Sequence, residues 1–230
     1  MAEGTFDFLT FIDEIAALSL RRLSGVSDLS TLCDITEDLV DFAERRLTEA
    51  LPPHERSLIA CSAGCGFCCR VQVDVLLPEA ATIVRFLGKC PPGDGTSGLT
   101  RRLSELYEMV RWMDDGERRW KGIPCPFLAK DQSCEIYPVR PLACRGITST
   151  NPSDCRAVVG ISPAIDEAPL ILQNLTQRVL MQAAFVGISQ ALTQAGLDAR
   201  SFELTGMVLT LFRQPERGVE FMAGKRVLLI

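Results

Sequence analysis

Cys61-Ser62-Ala63-Gly64-Cys65-Gly66-Phe67-Cys68-Cys69-Arg70 places four thiols within nine residues, with two glycines that let the backbone fold around whatever the thiols hold. A zinc or iron site needs several soft donors converging at about 2.3 Å on one ion, and a Cys-x-x-Cys turn such as Cys65 to Cys68 supplies two at little loop-closure cost. A second set lies downstream in Cys125-Pro126-Phe127-Leu128 and in Cys134-Glu135-Ile136-Tyr137-Pro138-Val139-Arg140-Pro141-Leu142-Ala143-Cys144-Arg145. A solitary thiol is usually a small core hydrophobe, but this density points to metal. We expect the two sets to meet in space. Closing the loop from Cys68 to Cys125 costs about 3 to 4 kcal/mol, against roughly 10 to 16 kcal/mol from a structural zinc.

The chain has 230 residues, 47% of them hydrophobic, enough for a sizeable core. A formal charge of −5 argues against a broad nucleic-acid footprint, which draws on a cationic surface. Ten cysteines would suit a disulfide framework in a small secreted protein, but Asp7, Asp13 and Glu14 interrupt the first apolar run and no basic region precedes it. No apolar stretch reaches the roughly 18 to 20 residues that span a bilayer. These features lead us to expect a cytoplasmic protein with reduced thiols and no membrane or nucleic-acid partner.

Helical spacing of Phe8, Phe11, Ile12, Ile15, Ala16 and Leu23 predicts a helix over 6–23, and Leu32, Leu39, Val40, Ala43 and Leu47 predict a second over 29–51. Pro52-Pro53 ends it. Cys33 falls on that helix's apolar face and reads as packing. Val71-Gln72-Val73-Asp74-Val75 alternates like a half-buried strand, extending to Leu77, and Pro78-Glu79 opens a short helix through Phe86. Residues 90–98 read as a linker, with Cys90 a bystander. Leu99, Leu103, Leu106, Val110 and Met113 mark one face of a further helix. Residues 123–159 lose helical periodicity and gain proline, glycine and cysteine, and helical patterns return over 175–192 and 202–212.

The order Cys61-x3-Cys65-x2-Cys68-Cys69, then Cys125-Pro126-Phe127-Leu128 and Cys134-x-Ile136-Tyr137-x2-Arg140-Pro141-x2-Cys144-Arg145, resembles the CxxCxxCC cysteine-cluster family, also called YkgJ-like. The resemblance covers the middle of the chain and leaves both helical ends outside it. It implies a zinc- or iron-chelating domain, with distant relatives that N-methylate flagellin lysines and carry an iron–sulfur centre. The first gap here is three residues where the family's name has two, which sets Cys61 apart from Cys65 and Cys68.

The resemblance implies Cys61, Cys65, Cys68, Cys69, Cys125, Cys134 and Cys144 as metal ligands. Four thiolates fill a single zinc or a four-iron cluster, so seven are too many for one site and one short of two closed sites. Side chains of adjacent Cys68 and Cys69 diverge in extended backbone, which assigns them different roles. We take Cys65, Cys68, Cys134 and Cys144 as the core quartet, and Cys155 offers an eighth thiol that the family pattern does not mark. Four thiolates on Zn²⁺ or on a four-iron cluster of core charge 2+ leave a net 2−, which Arg70, Arg140 and Arg145 would balance. Arg140 and Arg145 are the expected contacts to a cofactor or small anionic ligand, unless they cap local turns or pair with Glu135. Tyr137 reads as packing and His54 as an exposed loop residue.

Cys61-x3-Cys65-x-Phe67-Cys68 also fits the radical S-adenosylmethionine signature, whose enzymes build a partial barrel of alternating strands and helices. One convincing strand followed by helical patterns argues against that reading. The expected architecture is a mainly α, helical domain around a loop-rich cysteine-cluster site with at most one or two short strands. Its regions are an N-terminal helical pair (1–56), the metal-binding region (57–160) and a C-terminal helical region (161–230). The cofactor is a 4Fe–4S cluster or zinc, in a structural or redox role or, alternatively, in a methyl-transfer enzyme with a protein substrate.

Overall fold

The computed structural model describes residues 6–89, 95–161 and 170–230. Asp7 starts α1 (Phe8–Leu23) by accepting the Leu9 and Thr10 amides, and Asp28 starts α2 (Leu29–Ala50) by accepting that of Thr31. Each carboxylate satisfies helix N–H groups that lack an intrahelical partner. Gly25, with φ of +77°, makes the reversal between the two helices. After Pro52 come α3 (Pro53–Ser57), the first cysteine segment with a 3₁₀ turn (Phe67–Arg70), β1 (Asp74–Leu76) and α4 (Leu77–Lys89). Then follow α5 (Gly95–Val110), α6 (Asp115–Trp120), a 3₁₀ turn (Tyr137–Val139), α7 (Leu142–Gly146) and α8 (Pro152–Val158). The chain finishes with α9 (Leu175–Gln194), β2 (Ser201–Glu203), α10 (Leu204–Arg213) and α11 (Glu216–Met222). The fold is mainly α, as the periodicities indicate.

The central packing unit is α9 against α1 on one side and α7 on another, with α2 against both α9 and α4. α9 buries Leu180, Met181, Ala184, Ile188, Ala191 and Leu192, while α1 presents Phe11, Ile15 and Ala16. β1 and β2 pair antiparallel, with Val75 opposite Phe202, and each strand runs directly into a helix, α4 or α10, that packs on the other. The two-stranded ribbon therefore ties the middle of the chain to its C-terminal part. Among the described residues this ribbon is the one sheet, in contrast to the partial barrel of alternating strands and helices that radical S-adenosylmethionine enzymes build. Nor is any described helix long and apolar enough to cross a membrane.

Several local expectations are corrected. The strand covers 74–76 rather than 71–77, because Leu77 already begins α4, and α4 continues past Phe86 to Lys89. Cys90 and the first half of the expected linker lie outside the described residues, whereas residues 95–98 are the first turn of α5. The last helical pattern starts at Leu204, since Ser201–Glu203 is drawn into the sheet by β1. α3, α6 and α11 were not expected, nor were α7 and α8, two short helices inside the loop-rich stretch 123–159. α6 carries a legible signal in the Asp114-x-x-Glu117 capping box, where the Glu117 amide donates to Asp114 at 2.7 Å.

A Cβ added at Gly187 would meet Ile15 Cγ2 at 2.4 Å and the Ile12 carbonyl oxygen at 2.7 Å, so α9 approaches the α1 backbone only because this residue has no side chain. Gly88, near the end of α4, has open space at the same position. Helix propensity favours alanine at both by about 1 kcal/mol, but at Gly187 backbone displacement costs about 1 to 3 kcal/mol. Denaturant unfolding should show Gly187→Ala destabilised and Gly88→Ala neutral or stabilised. A gain in stability for Gly187→Ala would disprove the close approach.

Candidate metal centre

The first cysteine segment is fastened at its start to the chain leading into α8. The Ala60 amide donates to the Ser149 carbonyl at 2.9 Å, and the Ser149 amide donates to Cys61 Sγ at 3.2 Å. Gly64 turns the chain with φ of +84°. Gly66 lies directly on the second segment, because a Cβ there would stand 2.7 Å from Leu128 Cδ1 and 2.9 Å from Gln132 Oε1. The Cys125 amide donates to the Cys69 carbonyl at 2.6 Å. The two cysteine sets, far apart in sequence, thus meet through their backbones.

Downstream, a tight reversal pairs Leu128 with Cys134, with the Ser133 carbonyl accepting from Ala129 at 2.9 Å and Gln132 in the left-handed region at φ of +65°. Each downstream cysteine has a core residue two positions away: Phe127 for Cys125, Ile136 for Cys134 and Leu142 for Cys144, none more than 2% exposed. These side chains anchor the thiols to the helical core. Leu142 has a further anchor, for its amide donates at 2.8 Å to Glu79, whose carboxylate also accepts the Leu76 amide at 2.9 Å. Glu79 is only 3% exposed, and burial pushes its carboxyl up to about 6.

The 3₁₀ turn replaces the extended backbone expected at Cys68 and Cys69, so their thiols converge instead of diverging. Cys69 donates to Cys68, which pulls the Cys68 thiol down to about 7 and holds the Cys69 proton in place. Burial pushes Cys125 up to about 12 and Cys144 well above the usual thiol range, and also raises Cys134 and Cys61. Mutual repulsion maps the neighbourhoods. Cys69 is raised further by Cys68, Cys125 and Cys134, and Cys144 by Cys125, Cys68 and Cys134. Cys61 is raised by Cys68, Cys65 and Cys155.

Without metal, the deeply placed thiols are therefore neutral, and ligation would exchange their protons for the ion. The donor set suits a soft or borderline metal such as zinc or iron. Among the described residues, no three His, Cys, Asp or Glu side chains already have their donor atoms gathered for one ion. His54 is exposed on α3, and Cys33, only 2% exposed, belongs to the core.

The arginines differ sharply. Arg145 is 7% exposed and has its guanidinium committed within the protein: Nε donates to the Arg140 carbonyl and Nη2 to that of Pro138, both at 2.8 Å, and Nη1 to Glu44. Arg70 donates to the Gly66 carbonyl at 2.7 Å. Glu135 pairs with Arg102 at 2.8 Å, not with Arg140 or Arg145. Arg140 lies 4.4 Å over the Tyr137 ring, has a buried Nε without a hydrogen-bond partner, and lowers the pKa of Cys68, Cys134 and Cys144. A neighbour not expected from sequence is Arg118, 3% exposed and paired at 2.9 Å with Glu203, which favours ionisation of Cys125.

Residues 60–158 match the model of the CxxCxxCC family, described as "Putative zinc- or iron-chelating domain", the family read from the cysteine spacing. No curated protein and no solved structure matches the chain.

Glu79→Ala would leave two buried amides unpaired and should lower stability by about 2 to 4 kcal/mol. The Glu79 carboxyl binds its proton more tightly folded, at about 6, than at its ordinary 4.5, so its ionisation opposes folding as pH rises through that window, by about 2 kcal/mol in total. Glu79→Gln lacks this titration. The stability of the parent minus that of Glu79→Gln should fall by about 2 kcal/mol between pH 4.5 and 7. A pH-independent difference in denaturant unfolding would refute the assignment.

Proposed function

We propose that this chain is a metal-binding protein whose clustered cysteines hold zinc or an iron–sulfur cluster. The observation that carries the reading is the junction between the cysteine segments, where the Cys125 amide bonds to the Cys69 carbonyl and Cys68 acts electrostatically on Cys61, Cys69, Cys134 and Cys144. The ligands are drawn from Cys61, Cys65, Cys68, Cys69, Cys125, Cys134 and Cys144. We take Cys69, Cys125, Cys134 and Cys144 as the inner group, in place of the quartet of Cys65, Cys68, Cys134 and Cys144 read from sequence, because Cys69 is the residue bonded to Cys125.

Arg140 supplies positive charge beside the inner thiolates, and its unpartnered Nε is available to a small anionic ligand. Arg145, with its donors used, holds the Arg140 backbone in place. Zinc in such a site would pin the cysteine segments together, and an iron–sulfur cluster would add the capacity to carry an electron.

Anaerobic purification followed by metal and sulfide analysis and a visible spectrum distinguishes the two: brown protein with iron and sulfide, or colourless protein with zinc. Cys134→Ser and Cys144→Ser should each lose most of the inner metal, whereas Cys33→Ala should keep it. Undiminished metal in both serine variants would sink the proposal.

A further inference from the structure

An inner group made from Cys69, Cys125, Cys134 and Cys144 leaves Cys61, Cys65 and Cys68 unassigned, one thiol short of the four that close a structural zinc site. Among the described cysteines, Cys33 is buried in the core and Cys155 is the other one outside the family pattern. Cys155 is half-buried on α8, and α8 packs against the 3₁₀ turn that carries Cys68. Two contacts fix that packing. The Arg156 guanidinium lies 5.3 Å over the Phe67 ring, and the chain entering α8 is bonded to residues 60 and 61 through both the carbonyl and the amide of Ser149. Cys68 stands in the turn that α8 packs against, next to Cys69, whose carbonyl is bonded to the Cys125 amide.

We propose that Cys155 is an eighth metal ligand, completing an outer four-thiolate site with Cys61, Cys65 and Cys68 that is distinct from the inner site of Cys69, Cys125, Cys134 and Cys144. The inference rests on the metal-binding reading above and extends it from one centre to two. The outer thiols belong to a more exposed part of the cluster, with Cys61 and Cys68 exposed, whereas the inner ones are partly or deeply covered. The outer site is accordingly the one that a solution chelator reaches first. Each bound zinc displaces the protons its thiols carry, so loading either site releases protons and no oxidant or reductant is involved.

The test uses the full chain, stripped of metal under reducing conditions and titrated with zinc, then with cobalt(II), whose visible absorption reports tetrahedral thiolate ligation. The parent should take up two equivalents, with one lost more readily to chelator. Cys155→Ser should take up one equivalent and lose the chelator-labile fraction, and Cys144→Ser should lose the resistant one. Cys155→His supplies a replacement donor and should recover the second equivalent.

Two equivalents retained in Cys155→Ser, or no recovery in Cys155→His, would overturn the outer site. A parent that binds one equivalent, unchanged in Cys155→Ser, would also overturn it while leaving a single metal centre standing. A parent that binds none would overturn the metal-binding reading itself.

Discussion

The carboxylate of Glu79 is the point on which the arrangement of the cysteine region depends. It is removed from water and accepts one amide from the end of β1 and another from the first residue of α7. Burying a carboxylate is costly, as its raised pKa records, and the cost is offset by two charge-assisted hydrogen bonds and by the favourable field of Arg145. A neutral amide side chain has only one oxygen with which to meet both donors. Through this group the strand that follows the first cysteine segment is held against the helix that carries Cys144. Arg145 extends the clamp to the Pro138 and Arg140 carbonyls and to Glu44 on α2, so the loop bearing Tyr137 and Arg140 is referred to the same core.

Much of the helical framework was legible because it announces itself locally. α1, α2 and α9 have apolar residues at helical spacing, and two of them have aspartate caps that mark where they begin. What escaped is what depends on distant partners. Ser201–Glu203 is too short to show alternation and becomes a strand because Asp74–Leu76 lies beside it. The role of Gly187 depends on α1, more than a hundred residues earlier. Arg145 follows Cys144 directly and so looked like a cluster residue, but its side chain reaches carbonyls of the preceding turn. Cysteine spacing disclosed the thiols without their grouping, because the 3₁₀ backbone at Cys68 and Cys69 depends on packing against other segments.

The chain has a helical core of a size that a small metal-folded domain lacks. Its apolar contacts of α1 with α9, α2 with α4 and α10 with both α4 and α5 lie outside the cysteine segments, and α7, which carries Cys144, joins the same core by packing on α9. Phe127, Ile136 and Leu142 carry that core into the cysteine region and anchor the segments that bear Cys125, Cys134 and Cys144. Metal binding therefore acts locally, drawing together thiols already in one neighbourhood against the cost of taking their protons. That cost is high at Cys125 and Cys144, where burial favours the neutral thiol, and at Cys69, whose proton is held by Cys68, and smaller at Cys68, whose thiolate Cys69 stabilises. A cation bound beside these thiols would favour their deprotonation by its charge. The turn that holds Cys68 and Cys69 stands where the two cysteine segments join, through the Cys125 amide and the Cys69 carbonyl.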